Sequence, residues 1–147
     1  MNIDLFGQRF IELLPTVIRG FARRESNYLS RGKITLPQFG VLELLSRHRQ
    51  LPMNELAREL GVSRPAATGL VDRLLAQGLV GRRGDTQDRR VIQAALTARG
   101  KRVLANIWSQ KRRMVQQVFG RIPPTNRAQY LSIFEQVAKI LQEPPRP

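Results

Sequence analysis

The chain has 147 residues, with 25 Lys and Arg against 11 Asp and Glu, a formal charge of +14 and no cysteine. That length suits one domain, and the missing thiols exclude a disulfide framework, a thiolate metal site and a cysteine redox switch. So basic a balance points to a polyanion (DNA, RNA or an acidic membrane surface), unless it merely reflects a proteome rich in arginine.

The opening stretch MNIDLFGQRFIELLP lacks the basic and apolar regions of a secretion signal. No apolar run approaches the roughly 20 residues that span a bilayer. A soluble, cytoplasmic protein is expected.

Residues 3–29 carry Leu5, Phe6, Phe10, Leu13, Leu14, Val17, Ile18 and Phe21 at helical spacing. Pro15 interrupts the run, which predicts either a kink or a second helix opened by Pro15. A loop over Ser30 to Lys33 precedes a second helix capped by Thr35, with Pro37 in its first turn and Phe39, Leu42 and Leu45 on one face. That helix ends in the basic stretch Arg47, His48, Arg49 and Gln50.

Met53 to Leu60 predicts a short helix with Leu56, Ala57 and Leu60 inward, stopped by Gly61. The turn Gly61-Val62-Ser63 leads to another helix from Arg64 to about Gln77. Ser63 is its cap, Pro65 is tolerated in its first turn and Gly78 ends it. The period then becomes extended. Leu79–Arg83 and Arg90–Leu96 predict two short strands joined by the polar turn Gly84–Arg89, a hairpin. Thr97 caps a long helix to about Phe119, and after Pro123 and Pro124 a last helix covers about 125–142.

A short helix, a Gly-containing turn and a second helix form a helix-turn-helix pattern, weak alone but sharpened by a following basic hairpin. Such a pair offers one element for a major groove and one for a flanking minor groove. In the second helix Ala67, Leu70, Val71 and Leu74 recur at i, i+3, i+4 and i+7 and point to a core. The opposite face presents Arg64, Pro65, Ala66, Thr68, Gly69 and Arg73. Arg64 suits guanine, Thr68 a base edge or phosphate, and Arg73 a phosphate. A solvated face with two arginines is the plainer alternative. Gly69 weighs against it, because a mid-helix glycine costs about 1 kcal/mol relative to alanine. In the hairpin, Arg82, Arg83, Arg89 and Arg90 with Asp85 and Asp88 form either a solvated charged turn or a minor-groove finger braced by Asp88. Asp72 is a second candidate brace for a wing-side arginine.

The run LPMNELARELGVSRPAATGLVDRLLAQGLVGRRGDTQDRRVIQAALTARG resembles the winged helix of the MarR family of winged helix-turn-helix transcriptional regulators. The V-S-R-P…T-x-L-V-D-R-L helix, the G-L-V strand entry, the D-x-x-D-R-R wing and L-T-x-x-G carry the likeness. It spans roughly residues 36–105.

The resemblance implies a mostly α fold with a small β-hairpin wing. One MarR-type domain would cover residues 1–147: a DNA-binding lobe at about 35–97, and N- and C-terminal dimerisation helices at about 1–30 and 98–142. It further implies a homodimer on palindromic double-stranded DNA, acting as a repressor and released by a small aromatic or anionic effector. Ser63, Arg64, Thr68 and Arg73 match the family's recognition-helix contacts; Asp88 and Arg90 match its wing pair, with Arg90 at the minor-groove tip. The apolar stripes Ile3–Phe21 and Tyr130–Leu141 fit dimerisation on their own account, or a core within the chain. Tyr28, Phe39, His48 and Trp108 are candidates for an effector pocket, each with an ordinary core or surface role as the alternative. A single histidine, no cysteine and scattered carboxylates give no nucleophile–base pair and no metal-ligand spacing, so neither enzyme, cofactor nor metal is expected. Membrane binding fits poorly, because the arginines cluster on a hairpin. The competing functional expectation is an architectural, nucleoid-type DNA binder held by phosphate neutralisation with little sequence preference.

Overall fold

The side chain of Asn2 accepts the Leu5 N–H at 2.9 Å and starts α1 (Ile3–Ala22) in the computed structural model, which describes residues 1–27, 29–84 and 92–143. Pro15 lies inside this one helix rather than between two. It removes one backbone donor from a helix in which no residue is buried.

Thr35 caps α2 (Leu36–His48) through a reciprocal box: its hydroxyl accepts the Gln38 N–H at 3.4 Å, and Gln38 Oε1 accepts the Thr35 N–H at 2.7 Å. This explains a buried glutamine beside Phe39, Val41, Leu42 and Leu45. The three-residue strand β1 (Gln50–Pro52) follows, which the sequence pattern did not predict. Then come α3 (Met53–Leu60), α4 (Arg64–Ala76), β2 (Val80–Gly84), β3 (Ile92–Leu96), α5 (Ala98–Phe119) and α6 (Pro124–Gln142). Six helices and one antiparallel sheet, in the order β1-β3-β2, make up the described residues. Arg90 and Val91, expected at the start of the last strand, lie outside them.

Both helix-ending glycines adopt left-handed backbone, Gly61 with φ 66° and Gly78 with φ 68°. In each case the next residue closes the helix: Val62 N–H reaches the Ala57 carbonyl at 3.0 Å and Leu79 N–H the Leu74 carbonyl at 2.9 Å.

The chain divides into two compact units, Met1–Lys111 and a second beginning at Arg112. Within the first, Leu42, Leu45, Leu56, Val71, Leu74, Leu79, Val80, Ala94 and Ile107 belong to one buried core joining α2, α3, α4, the sheet and the first part of α5. Lys111 Nζ meets Glu25 Oε1 at 2.7 Å, tying the segment after α1 to α5. In the second unit α6 has no buried residue, although Tyr130 stacks on Phe134 and meets Phe119 at a tilt of 45°.

The T-x-x-G element at the start of α5 is a clamp. Thr97 Oγ1 donates to the Gly78 carbonyl at 2.6 Å and accepts the Gly100 N–H at 3.0 Å. Thr97 N–H donates to the Leu79 carbonyl at 3.1 Å. A Cβ on Gly100 would lie 2.0 Å from that carbonyl oxygen, so only glycine allows the approach. Gly100→Ala is therefore expected to destabilise the fold by about 1–3 kcal/mol in urea denaturation, as an overpacked core does. An unchanged midpoint would show that α5 shifts freely.

Candidate nucleic-acid interface

Helix α4 has one face in the core and one in water. Ala67, Val71 and Leu74 are each 0% exposed, while Leu70 is half-buried against them. On the other face Arg64, Pro65, Ala66 and Arg73 are exposed and Thr68 and Gly69 half-buried. Pro65 occupies the first turn, where a missing N–H leaves no bond unmade, and Ser63 Oγ accepts the Ala66 N–H at 3.3 Å. The remaining free N–H groups and the helix dipole make this end receptive to a phosphate.

Thr68 spends its hydroxyl hydrogen inside the helix, donating to the Arg64 carbonyl at 3.0 Å. Outward it presents oxygen lone pairs and a methyl group. It can accept from a base amino group or touch a thymine methyl, but in this rotamer it does not donate.

The brace expected from Asp72 is made by Arg82, whose Nη2 donates to Asp72 Oδ1 at 2.5 Å. Both side chains are partly exposed, so the pair adds at most about 1 kcal/mol. The pair marks where β2 meets the outer side of α4. Arg64, Thr68 and Arg82 accordingly share the lining of one cleft of about 230 Å³ with Asn54 of α3. Asn54 escaped sequence reasoning, because a polar residue in the first turn of a helix looks like an ordinary helix-start signal.

Strand alternation separates the two neighbouring arginines. Arg82 pairs across with Ala94 and Arg83 with Gln93, so they stand on opposite faces of the sheet. Arg82 faces α4, whereas Arg83 lines a second cavity with His48. Asp88, Arg89 and Arg90 lie outside the described residues, as does Tyr28. Of the candidate effector residues, Phe39 and Trp108 meet, with ring centroids 6.2 Å apart. Phe39 is buried and Trp108 is 45% exposed. His48 sits at the end of α2, in that second cavity.

Residues 34–92 match the model of the MarR family. The HTH-type transcriptional repressor YetL of Bacillus subtilis is 40% identical over 75 residues, covering 50% of this chain and 42% of that protein. The chain matches about half, or somewhat less, of the length of several such curated relatives. Its fold is similar to that of the YusO protein of B. subtilis, with a TM-score of 0.78, 22% identity, and coverage of 95% of this chain and 99% of that one. A point variant of MepR from S. aureus, solved bound to an oligodeoxyribonucleotide, aligns with a TM-score of 0.66 and 22% identity, covering 93% and 98% of the two chains.

A Cβ at Gly69 would meet nothing within 4 Å. Neither packing nor backbone conformation in the free protein calls for glycine there. Gly69→Ala is expected to raise stability by roughly 1 kcal/mol, the helix-propensity difference. Thermal unfolding of the pair checks this, and a lower melting temperature would reveal a structural need for the glycine.

Proposed function

The chain belongs to the MarR family through residues 34–92, and from that premise we propose that it is a sequence-specific, DNA-binding transcriptional repressor. Two copies would bind a palindromic operator, α4 of each entering the major groove and the β2–β3 wing reaching the minor groove. The observation that carries this reading is the outer face of α4. Arg64, Thr68, Gly69 and Arg73 form a low surface flanked by cations, beside the braced Arg82, on a chain of net charge +14. The likeness to MepR bound to an oligodeoxyribonucleotide and to proteins named as repressors supports it.

Ser63, Pro65 and Ala66 would let the helix end approach the backbone closely. Arg64 and Thr68 would read bases, and Arg73 would hold a phosphate. Asp88, Arg89 and Arg90 are proposed as the wing contact. Gly69 acquires a purpose here: a bare Cα lets the groove wall come closer, so Gly69→Ala would lose affinity while gaining stability.

Dimerisation is proposed from the two helices without buried residues. Phe6, Phe10, Leu14 and Val17 of α1 and Tyr130, Phe134 and Val137 of α6 are each 39–58% exposed. Apolar faces of that extent mark an interaction surface, and a second copy would set half-sites about one helical turn apart. The protein would work in the cytoplasm, on the nucleoid, and a small aromatic or anionic effector would release it. The net charge favours one competing reading, an architectural binder with little base preference.

Selection from a random duplex library, followed by salt titration on the winner and a scrambled control, separates the two. A palindrome bound at least about a thousandfold more tightly than the control is expected. Equal affinities with equal salt slopes would favour the architectural reading. Thr68→Val, which keeps the shape and removes the hydroxyl, is expected to change sequence preference more than Arg73→Ala does. Equal, sequence-independent losses from both would remove Thr68 as a reader. Arg90→Ala is expected to cost about 1–3 kcal/mol, chiefly at A·T-rich flanks; unchanged affinity would remove the wing contact.

A further inference from the structure

The cleft between α3, α4 and the sheet has walls of two kinds. Asn54, Arg64, Thr68 and Arg82 give it polar groups, while Pro52 of β1 and Ile92 of β3 give it apolar surface. In the sheet register Arg82 lies opposite Ala94 and Gly84 opposite Ile92. Strand alternation therefore puts Ile92 on the same sheet face as Arg82. Its cross-strand partner is a glycine, so no side chain directly opposite covers it, and Ile92 stays 47% exposed.

In duplex DNA one sugar-phosphate strand separates the major groove from the minor groove. A protein that sets α4 in the first and the β2–β3 hairpin in the second must let that strand pass between them. The space between α4 and the sheet is this cleft. Its volume of about 230 Å³ is below the usual small-molecule range of about 300–1,000 Å³, and suits the edge of a polymer better than an enclosed ligand. Asp72 occupies one Nη2 donor of Arg82. A guanidinium carries five donors, so the braced Arg82 can still hold a phosphate.

We propose that the cleft grips the strand between the two grooves and reads its sugar as deoxyribose. Arg82 holds a phosphate from the sheet side, and the Asn54 amide donates to the strand from α3. Ile92 and Pro52 pack on the adjoining sugar. A 2′-hydroxyl at that sugar meets apolar surface and loses its hydrogen bonds to water. That hydroxyl is the group by which a protein tells RNA from DNA at a given contact. The grip rests on the groove placement proposed above, and it needs no particular base sequence.

Single-ribonucleotide and single-methylphosphonate scans of the selected duplex, read by fluorescence anisotropy with the full chain, test it. The first adds one 2′-hydroxyl and the second removes one phosphate charge. In each half-site one sugar is expected at which the hydroxyl weakens binding about tenfold, the effect of one unpaired hydroxyl. Ile92→Ala should largely abolish that loss, because water then reaches the hydroxyl. A neutral linkage beside that sugar should weaken the unaltered protein about tenfold. Arg82→Ala and Asn54→Ala should each lessen this second loss, as residues that share one contact do. Arg58→Ala, an exposed residue of α3 outside the cleft lining, should keep both losses. Ile92 and Asn54 are exposed, so their replacement should leave the melting temperature in place.

The salt slope separates this contact from the operator reading. Arg82→Ala should lower the slope by about one on selected and scrambled duplexes alike. Equal affinities for those duplexes would remove the operator reading alone, and a duplex with scattered ribonucleotides then takes the place of the scan. A bound duplex with no sugar-specific loss, or a loss undiminished in Ile92→Ala, overturns the proposal. So does a neutral-linkage loss unchanged in both Arg82→Ala and Asn54→Ala. Failure to bind any duplex removes both readings.

Discussion

At Leu79 one peptide segment serves two helices. Its N–H closes the end of α4 on the Leu74 carbonyl, and its own carbonyl takes the Thr97 N–H at the start of α5. The Thr97 hydroxyl repeats the tie on Gly78, and the bare Cα of Gly100 admits the close approach. The Leu79 side chain, 0% exposed, anchors the same point in the core. The direction of α4, the departure of β2 and the start of α5 are thus set together. Because buried backbone groups must be paired, none of the three can turn without leaving a donor or acceptor unmet. The geometry that puts Arg82 beside Asp72 follows from this joint, the exposed ion pair being too weak to impose it.

Charge is distributed with a similar division. Among the described residues only Lys111–Glu25 is a largely shielded ion pair, and it holds structure together. Most of the other cations stand on the surface, uncompensated, and a net +14 destabilises an isolated chain. The alternating strand sends Arg82 toward α4 and Arg83 to the opposite face, so two adjacent residues serve different surfaces. Screening over about 8 Å at physiological salt keeps those surfaces electrostatically distinct once they are farther apart than that.

Much of this was legible in the sequence. Ser63, Thr35 and Gly61 marked helix ends by their local chemistry, and the 3.6-residue period of Ala67, Val71 and Leu74 gave the inner face of α4. Strand β1 was not legible, because three residues including Pro52 carry no period; its pairing with β3 comes from tertiary packing. Pro15 was ambiguous because the cost of an interior proline depends on whether the unpaired carbonyl is buried, which only the fold decides. The internal bond of Thr68 was foreseeable in principle, since Ser and Thr in helices often donate to the carbonyl four residues back. The cleft of Asn54, Arg82 and Ile92 was not foreseeable, because its walls are brought together from positions far apart in the chain. L-T-x-x-G was legible as a pattern, while its reason, the contact between Gly100 and Leu79, appeared only in three dimensions.

The two faces of α4 also bear on how such a protein can diversify. Ala67, Val71 and Leu74 hold the helix in place from one side, and the outer residues carry little of the packing. Substitutions at positions 64, 66, 68 and 73 can therefore accumulate with small effect on folding. After a gene duplication, one copy can change its outer surface through a few such substitutions while its core stays intact. Selection then acts on the outer surface and on folding almost separately, which allows one scaffold to carry many different surfaces.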